Sequence, residues 1–382
     1  MKERFMKIVH SGFDSLYFSL QGALSAQAIK RYEMLKSLAI EKNGNEVFEV
    51  VGRSTRYSLQ PNGKRGGYTY LIDTGLVGST LCFKTSLSRD QHNGFVEISS
   101  ACLLAYGWKA AIEQTLDHVA AVGFHVESIS FNRVDYCIDF LDAQIEIYPR
   151  DFIVHSRVKK RAYHEPLSVI NHVEKRSVAQ SDHVKSLTLG TMPGRQIILY
   201  DKRAEAIERR KLYWFDAWGI DRHDTTRTVH RVEVRAGKNH LMANRLRTLD
   251  DFECHIGLIL QNAVRDMRWV QRSPTDANVS RAPLHPLWQA VQAHMRNALA
   301  PYTAPLSQER ITERMRNNKR LEYRQQVVGN LGGYMACGDV AYEDIQQEMQ
   351  ALIADISEQL SSDSAPPLIK AYNRTKERWG SV

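Results

Sequence analysis

The chain has 382 residues, 43% of them hydrophobic and 25% charged, a globular balance that excludes gross disorder and fibrous repeats and allows one large domain or two to three smaller ones. No apolar run approaches the roughly 18–20 residues needed to cross a bilayer, and the opening MKERFMKIVHSGFDSLYFSL, cut by Arg4, His10 and Asp14, makes a poor signal peptide. Its 51 Lys and Arg against 43 Asp and Glu leave a charge of +8, which favours polyanionic partners because neutralised phosphates release condensed counterions.

In chain order, a short strand leads into a helical pattern from Asp14 to about Glu41, with Ser25 as a cap and Ile29, Tyr32, Leu35 and Leu38 near a 3.6 period. Short β-like runs follow at Glu46–Val51, Thr55–Leu59, Tyr68–Asp73, Ser79–Lys84 and Phe95–Ser99, with turn signals at Pro61-Asn62-Gly63 and Gly66-Gly67. A helix over Gly107–Val122 carries Trp108, Ile112, Leu116 and Val119 on one side. The segment Ser128–Phe140 is the strongest strand, because Val134, Tyr136, Ile138 and Phe140 alternate with Arg133, Asp135, Cys137 and Asp139. The polar tract Arg157–Lys185 reads partly as loop. Strands at Ser186–Leu189 and Gln196–Tyr200 flank a Met192-Pro193-Gly194 turn. A charged helix over Arg203–Trp218 precedes the strand Thr228–Arg235. Beyond about Leu249 the pattern is helical, broken at Pro283, Pro286, Pro301 and Pro305. An antiparallel α+β body and a helical C-terminal module are expected, with a domain change near 270–285.

Five cysteines, Cys82, Cys102, Cys137, Cys254 and Cys337, are never spaced C-x-x-C, which argues against a zinc ribbon and a disulfide framework and for a reducing cytoplasm. There is no phosphate-binding loop, H-x-H pair, H-E-x-x-H, G-x-S-x-G or zinc-deaminase cysteine pair. What remains is a set of carboxylates on strands. Asp135 and Asp139, four residues apart, lie about 13 Å apart at about 3.3 Å per residue, so one ion cannot bind both unless the strand bends. Glu233 is the candidate second acid, because RVDYCID and RVEVRAG share an Arg-Val-acid core and read as equivalent strands of two related half-domains. Such oxygen ligands suit Mg²⁺ or Mn²⁺. The alternative is a pair of structural Arg–carboxylate contacts that bind no metal.

Tyr200, in Leu199-Tyr200-Asp201-Lys202, is a possible nucleophile if a cation stabilises its phenolate; a packing tyrosine would look the same. From Lys202 to Arg247 there are 12 Lys and Arg against 6 Asp and Glu, interleaved with Tyr213, Trp214 and Trp218. That composition fits either a nucleic-acid groove or a solvated helix beside core tryptophans. A second basic run, Arg310–Arg324, reads as an exposed helix.

Taken in order, Tyr106-Gly107-Trp108, Arg133-Val134-Asp135 through Asp139, Thr188-Leu189-Gly190-Thr191, Leu199-Tyr200-Asp201-Lys202 with Glu205, and Arg231-Val232-Glu233 resemble the Rep-trans family of replication initiation factors of rolling-circle plasmids, filamentous phages and some conjugative elements. The resemblance covers roughly residues 8–270. It implies a nicking domain over 1–272, in which the echoed strands mark half-domains of about 1–145 and 146–272; the helical pattern beyond it, which matches no family pattern, reads as a separate module over 284–382. It implies a site-specific DNA nickase and rejoining enzyme that forms a 5′-phosphotyrosyl intermediate at an origin and starts rolling-circle replication. The alternatives are a relaxase for conjugative transfer and a non-catalytic DNA-binding regulator. Tyr200 would be the nucleophile with Lys202 beside it, and Asp135, Glu233 and Asp139 would hold Mg²⁺ or Mn²⁺. Arg133, Arg231, Arg235 and Arg203 would face DNA. The expected partners are origin DNA, duplex and single-stranded, with a homodimer and a host helicase or polymerase as further candidates and no membrane. One departure is the long tract 155–185 with His155, His164, His172 and His183.

Overall fold

The computed structural model describes residues 6–41, 47–51, 55–143, 145–155, 158–164, 184–272, 281–297, 308–361 and 367–379. His172, His183, the linker segment 273–280, Pro301 and Pro305 lie outside the described residues.

The chain opens with a long strand, β1 (Lys7–Leu24), where a helix was expected from Asp14. The period decides this: Leu16, Phe18 and Leu20 are buried on one face while Tyr17 and Ser19 point to the other. Helix α1 (Ala26–Glu41) starts where expected, with Ser25 Oγ accepting from the Ala28 amide at 3.1 Å. Strands β2 (Val47–Val51), β3 (Thr55–Leu59), β4 (Tyr70–Asp73), β5 (Ser79–Phe83) and β6 (His92–Ile98) form an antiparallel meander. Helix α2 (Ser100–Ala121) starts earlier than expected and kinks at Gly107, whose φ of 73° suits a residue without Cβ. Then come β7 (Phe124–Leu141), β8 (Phe152–Ile153), β9 (Lys160–His164), β10 (Val184–Gly190) and β11 (Arg195–Asp201).

Two helices, α3 (Lys202–Glu208) and α4 (Tyr213–Trp218), replace the single helix expected over Arg203–Trp218. They are separated where Arg210 takes a left-handed φ of 54°. Strand β12 (Val229–Gly237) runs directly into α5 (Lys238–Ala243), and α6 (Leu249–Arg265) and β13 (Arg268–Trp269) follow. Helices α7 (Pro286–Asn297), α8 (Gln308–Cys337), α9 (Ile345–Ser361) and α10 (Pro367–Trp379) complete the described chain.

The fold is α+β, built on an antiparallel sheet. Among the described residues the sheet has 11 strands in the order β2-β3-β4-β5-β6-β1-β7-β12-β11-β10-β9. One face packs against α1, α2, α6 and α7. There Phe13 meets Trp108, Tyr136 and Phe252 at ring distances of 6.1, 5.5 and 5.2 Å, and Tyr32 of α1 meets Tyr70 at 5.5 Å. The opposite face, over the central strands, is covered by α4 with Trp214 and Trp218. Helix α8 touches the body through α2 and α4, with Arg210 Nη1 3.1 Å from Glu322 Oε1.

Helix α7 falls within the residues that the sequence assigns to a separate module. In the structure it packs into the body: Leu287, Trp288, Val291 and Met295 are buried in the main core, and Trp288 Nε1 donates to the Met267 carbonyl at 2.8 Å. Cys82, Cys102 and Cys137 are buried free thiols, and Cys337 is an exposed one. No described helix is long and apolar enough to cross a membrane.

Candidate functional site

Strand register brings the two Arg-Val-acid segments side by side. Strands β7 and β12 pair antiparallel, with Asp135 opposite Arg235, Cys137 opposite Glu233 and Asp139 opposite Arg231. Tyr200 of β11 lies opposite Arg231. Directly opposed residues project to the same side of a sheet, so Tyr200, Glu233, Asp135 and Asp139 share the face under α4. That shared face follows from the alternation of polar and apolar residues on each strand.

On this face the groups divide into two clusters. In the first, the Tyr200 hydroxyl donates to Glu233 Oε2 at 3.0 Å. Arg235 Nε donates to Glu233 Oε1 at 2.6 Å and lies 3.7 Å from Asp135 Oδ2. Arg133 Nε donates to Asp135 Oδ1 at 2.7 Å. Both carboxylates are 1% exposed, whereas the arginines are 25% and 27% exposed, so the cations form the outer surface of the cluster.

In the second cluster, Arg231 donates through Nε and Nη2 to Asp139 at 2.6 and 2.8 Å and through Nη1 to Asp14 at 2.6 Å. Trp218 Nε1 donates to Asp139 at 2.8 Å. Trp214 covers the guanidinium at 4.3 Å and meets the His10 ring edge-on at 4.9 Å. A bulge in β1 between Phe13 and Ser15 inserts Asp14 and turns its carboxylate to Arg231. Arg231 and Asp139 are both fully buried. The expected DNA-facing role of Arg231 is therefore corrected: its charge is neutralised inside the protein, since burying it unpaired would cost several kcal/mol.

Two further expected roles change. Lys202 begins α3 and does not extend the strand. It is 2% exposed, donates to Glu205 at 2.6 Å, and approaches Tyr200 only over the ring, at 5.8 Å from its centre. Arg203 donates to the carbonyls of Arg222 and Asp224 at 3.0 and 3.2 Å, so it braces a loop. Asp14, His10, Trp214 and Trp218 complete the buried cluster. Neither Asp14 nor His10 stands out in the sequence, because the bulges beside them break the simple alternation of β1.

Burial first, and then the Glu233 carboxylate, hold the Tyr200 phenol well above its ordinary range near 10. Tyr200 is thus a neutral donor in the resting protein, and a base is needed to make it a nucleophile. Burial, with repulsion from Glu233 added, pushes Asp135 up to about 7 against the pull of Arg133. Burial acts to raise Asp139, but Arg231 outweighs it and holds the carboxyl below its usual range.

The expected set for Mg²⁺ or Mn²⁺ does not assemble. Asp139 spends both oxygens on Arg231 and Trp218, away from the other two acids. Arg235 occupies the cationic position beside both Asp135 and Glu233. Among the described residues, no group of three or more His, Cys, Asp or Glu side chains is placed to hold a metal ion. As arranged, the residues do not fit an oxygen-ligated divalent ion.

No family model matches the chain, and no curated protein matches it. Among solved structures, it is similar to the rolling circle replication initiator protein from Geobacillus stearothermophilus, with 14% identity over 75% of this chain and 96% of that one, and a TM-score of 0.40. Identity and score this low leave the reading of the site to the chain's own residues.

Proposed function

We propose that this chain nicks and rejoins one DNA strand at an origin, with Tyr200 as nucleophile, to begin rolling-circle replication of a phage or plasmid. The carrying observation is the 3.0 Å hydrogen bond from the Tyr200 hydroxyl to Glu233, beside two part-exposed arginines. The motif order that resembles the Rep-trans family supports the same reading, and a relaxase starting conjugative transfer would use the same chemistry.

In the proposed step Glu233 Oε2 takes the phenolic proton as Tyr200 Oη attacks phosphorus. The bond from phosphorus to the 3′ oxygen breaks, and that oxygen takes a proton from solvent. The products are a free 3′-hydroxyl and a 5′-phosphotyrosyl ester. Arg235 and Arg133 face the non-bridging oxygens, where charge grows in the transition state. The ester keeps the energy of the phosphodiester, so the reverse step rejoins the strand without a nucleotide cofactor.

The test is nicking of supercoiled origin DNA. Tyr200→Phe is expected to lose the covalent adduct and at least about 10³-fold of the rate, consistent with the large losses seen when a nucleophile is removed, while its circular dichroism is unchanged. An adduct of unchanged yield in that variant would remove Tyr200 from the chemistry. The same assay run with and without Mg²⁺ or Mn²⁺ measures whether a divalent ion is needed. A second reading, favoured by the ties of Asp135 and Glu233 to arginines, is a DNA-binding regulator without catalysis; origin binding with no cleavage would support it.

A further inference from the structure

Beyond Arg133 the same sheet face continues as a line of aromatic rings. The Arg133 guanidinium lies 4.9 Å from the centre of the Tyr17 ring. Tyr17 is 6.2 Å from Phe95, and Phe95 is 5.8 Å from Tyr68. Lys64 Nζ sits 4.7 Å from the Phe95 ring centre, and Lys84 Nζ sits 5.4 Å from that of Tyr68. Each ring therefore has its own cation.

Register fixes the face. Tyr17 pairs with Arg133 on one side and Glu97 on the other, and Ser19 pairs with Phe95. The opposite side of these strands is ordinary core, where Phe18, Leu20, Leu81, Phe83 and Val96 are all fully buried. Tyr17, Phe95 and Tyr68 are only partly covered. Two carboxylates lie among them: Asp135 accepts from Arg133 at 2.7 Å, and Glu97 accepts from the Tyr17 hydroxyl at 3.1 Å and from Lys64 at 3.2 Å. They orient a ring and two cations, and the three cations leave a small positive excess.

We infer that Tyr17, Phe95 and Tyr68, with Arg133, Lys64 and Lys84, form a track for single-stranded DNA leading to Tyr200. Each ring offers a base a stacking partner worth about 1–3 kcal/mol, and the cations meet the phosphates between bases. A duplex keeps its base faces within its own stack and gains nothing from the rings. From β11 to β1, which carries Tyr17, there are three strand spacings of about 4.8 Å, so measured across the strands the nearest ring lies roughly 14 Å from Tyr200, with room for a short run of nucleotides. The choice of DNA as occupant rests on the proposed nicking; the stacking surface itself does not.

The experiment measures fluorescence anisotropy of a labelled oligo-dT with the full chain, alongside a duplex of equal length. A variant carrying Tyr68→Ala and Phe95→Ala should bind the single strand at least about 30-fold more weakly, the lower range for two lost stacks, with the duplex changed less than about twofold. Tyr68→Phe with Phe95→Tyr should retain single-strand affinity, which separates stacking from misfolding. Lys84→Gln should lower the slope of log affinity against log salt by about 0.7. Unchanged single-strand affinity in the alanine variant would overturn the track. Equal losses on single strand and duplex, or a loss in the conservative variant as large as in the alanine one, would also overturn it. If the wild type nicks no origin while the alanine variant loses oligo-dT, the track stands and the nicking reading fails.

Discussion

At the scale of single residues, the site is a contrast between two arginine clusters. Arg231 is closed in by Asp139, Asp14 and Trp214, whereas Arg235 and Arg133 reach the surface while neutralising Glu233 and Asp135. The closed cluster makes stability depend on pH through His10. Burial, opposed in part by Asp139 and Asp14 and assisted by Arg231 and Lys202, lowers its imidazole to about 4. An unfolded chain protonates this histidine near 6.5, so between about pH 6.5 and 4 it holds a proton that the folded chain does not. Folding stability contributed by the neutral ring is therefore complete above 6.5 and falls as pH drops towards 4, by at most about 3 kcal/mol at 1.36 kcal/mol per unit. Urea melts at pH 7.5 and 4.5 should show a smaller pH-dependent loss for His10→Gln than for the wild type; parallel losses would reject the assignment. Tyr200, Asp135 and Glu233 were legible because each is a polar residue alternating with apolar ones on a strand. His10 and Asp14 were not, because a bulge is a tertiary adjustment with no periodic signature.

At the scale of elements, period 2 located the strands well: Thr55–Leu59 coincides with β3, and Ser128–Phe140 lies within β7. The misreading of residues 14–24 has a plain cause. Leu16 and Leu20 are four apart, which suits a helix, but Phe18 between them shares their face only in a strand. Likewise Trp214 and Trp218 fit one helical stripe, while the break at Arg209–Leu212 that aims them at Arg231 depends on the left-handed Arg210. Helix α6 carries a capping box in which Thr248 Oγ1 accepts from the Asp251 amide at 3.2 Å and Asp251 accepts from the Thr248 amide at 2.8 Å. Thr248→Ala should cost about 1 kcal/mol and Thr248→Ser much less, read from urea midpoints. Equal midpoints for alanine and wild type would show that this cap does not hold the helix.

For the whole molecule, the sequence separated the helical end from the sheet but placed α7 with the former. An amphipathic helix announces that it has an apolar face, not which surface that face will cover. Trp288 and its neighbours close the core over Met267 and Val264, with Gln292 donating to the Val264 carbonyl at 3.2 Å. A chain ending at residue 272 should therefore lose at least about 3 kcal/mol, the range for emptying a large aromatic site, whereas one ending at 297 should keep α7 and melt cooperatively. Similar melting of the two shortened chains would contradict this. The single sheet also limits how the molecule can move. Strands β7 and β12 are joined over nine consecutive residue pairs, from Leu141 with Val229 to Arg133 with Gly237, in the middle of the sheet. They cannot open like jaws about a hinge without breaking the backbone bonds that hold Asp135 near Glu233. On the proposed reading, a DNA strand reaching Tyr200 therefore approaches from the side of the sheet that carries α3 and α4, not through a cleft between these strands.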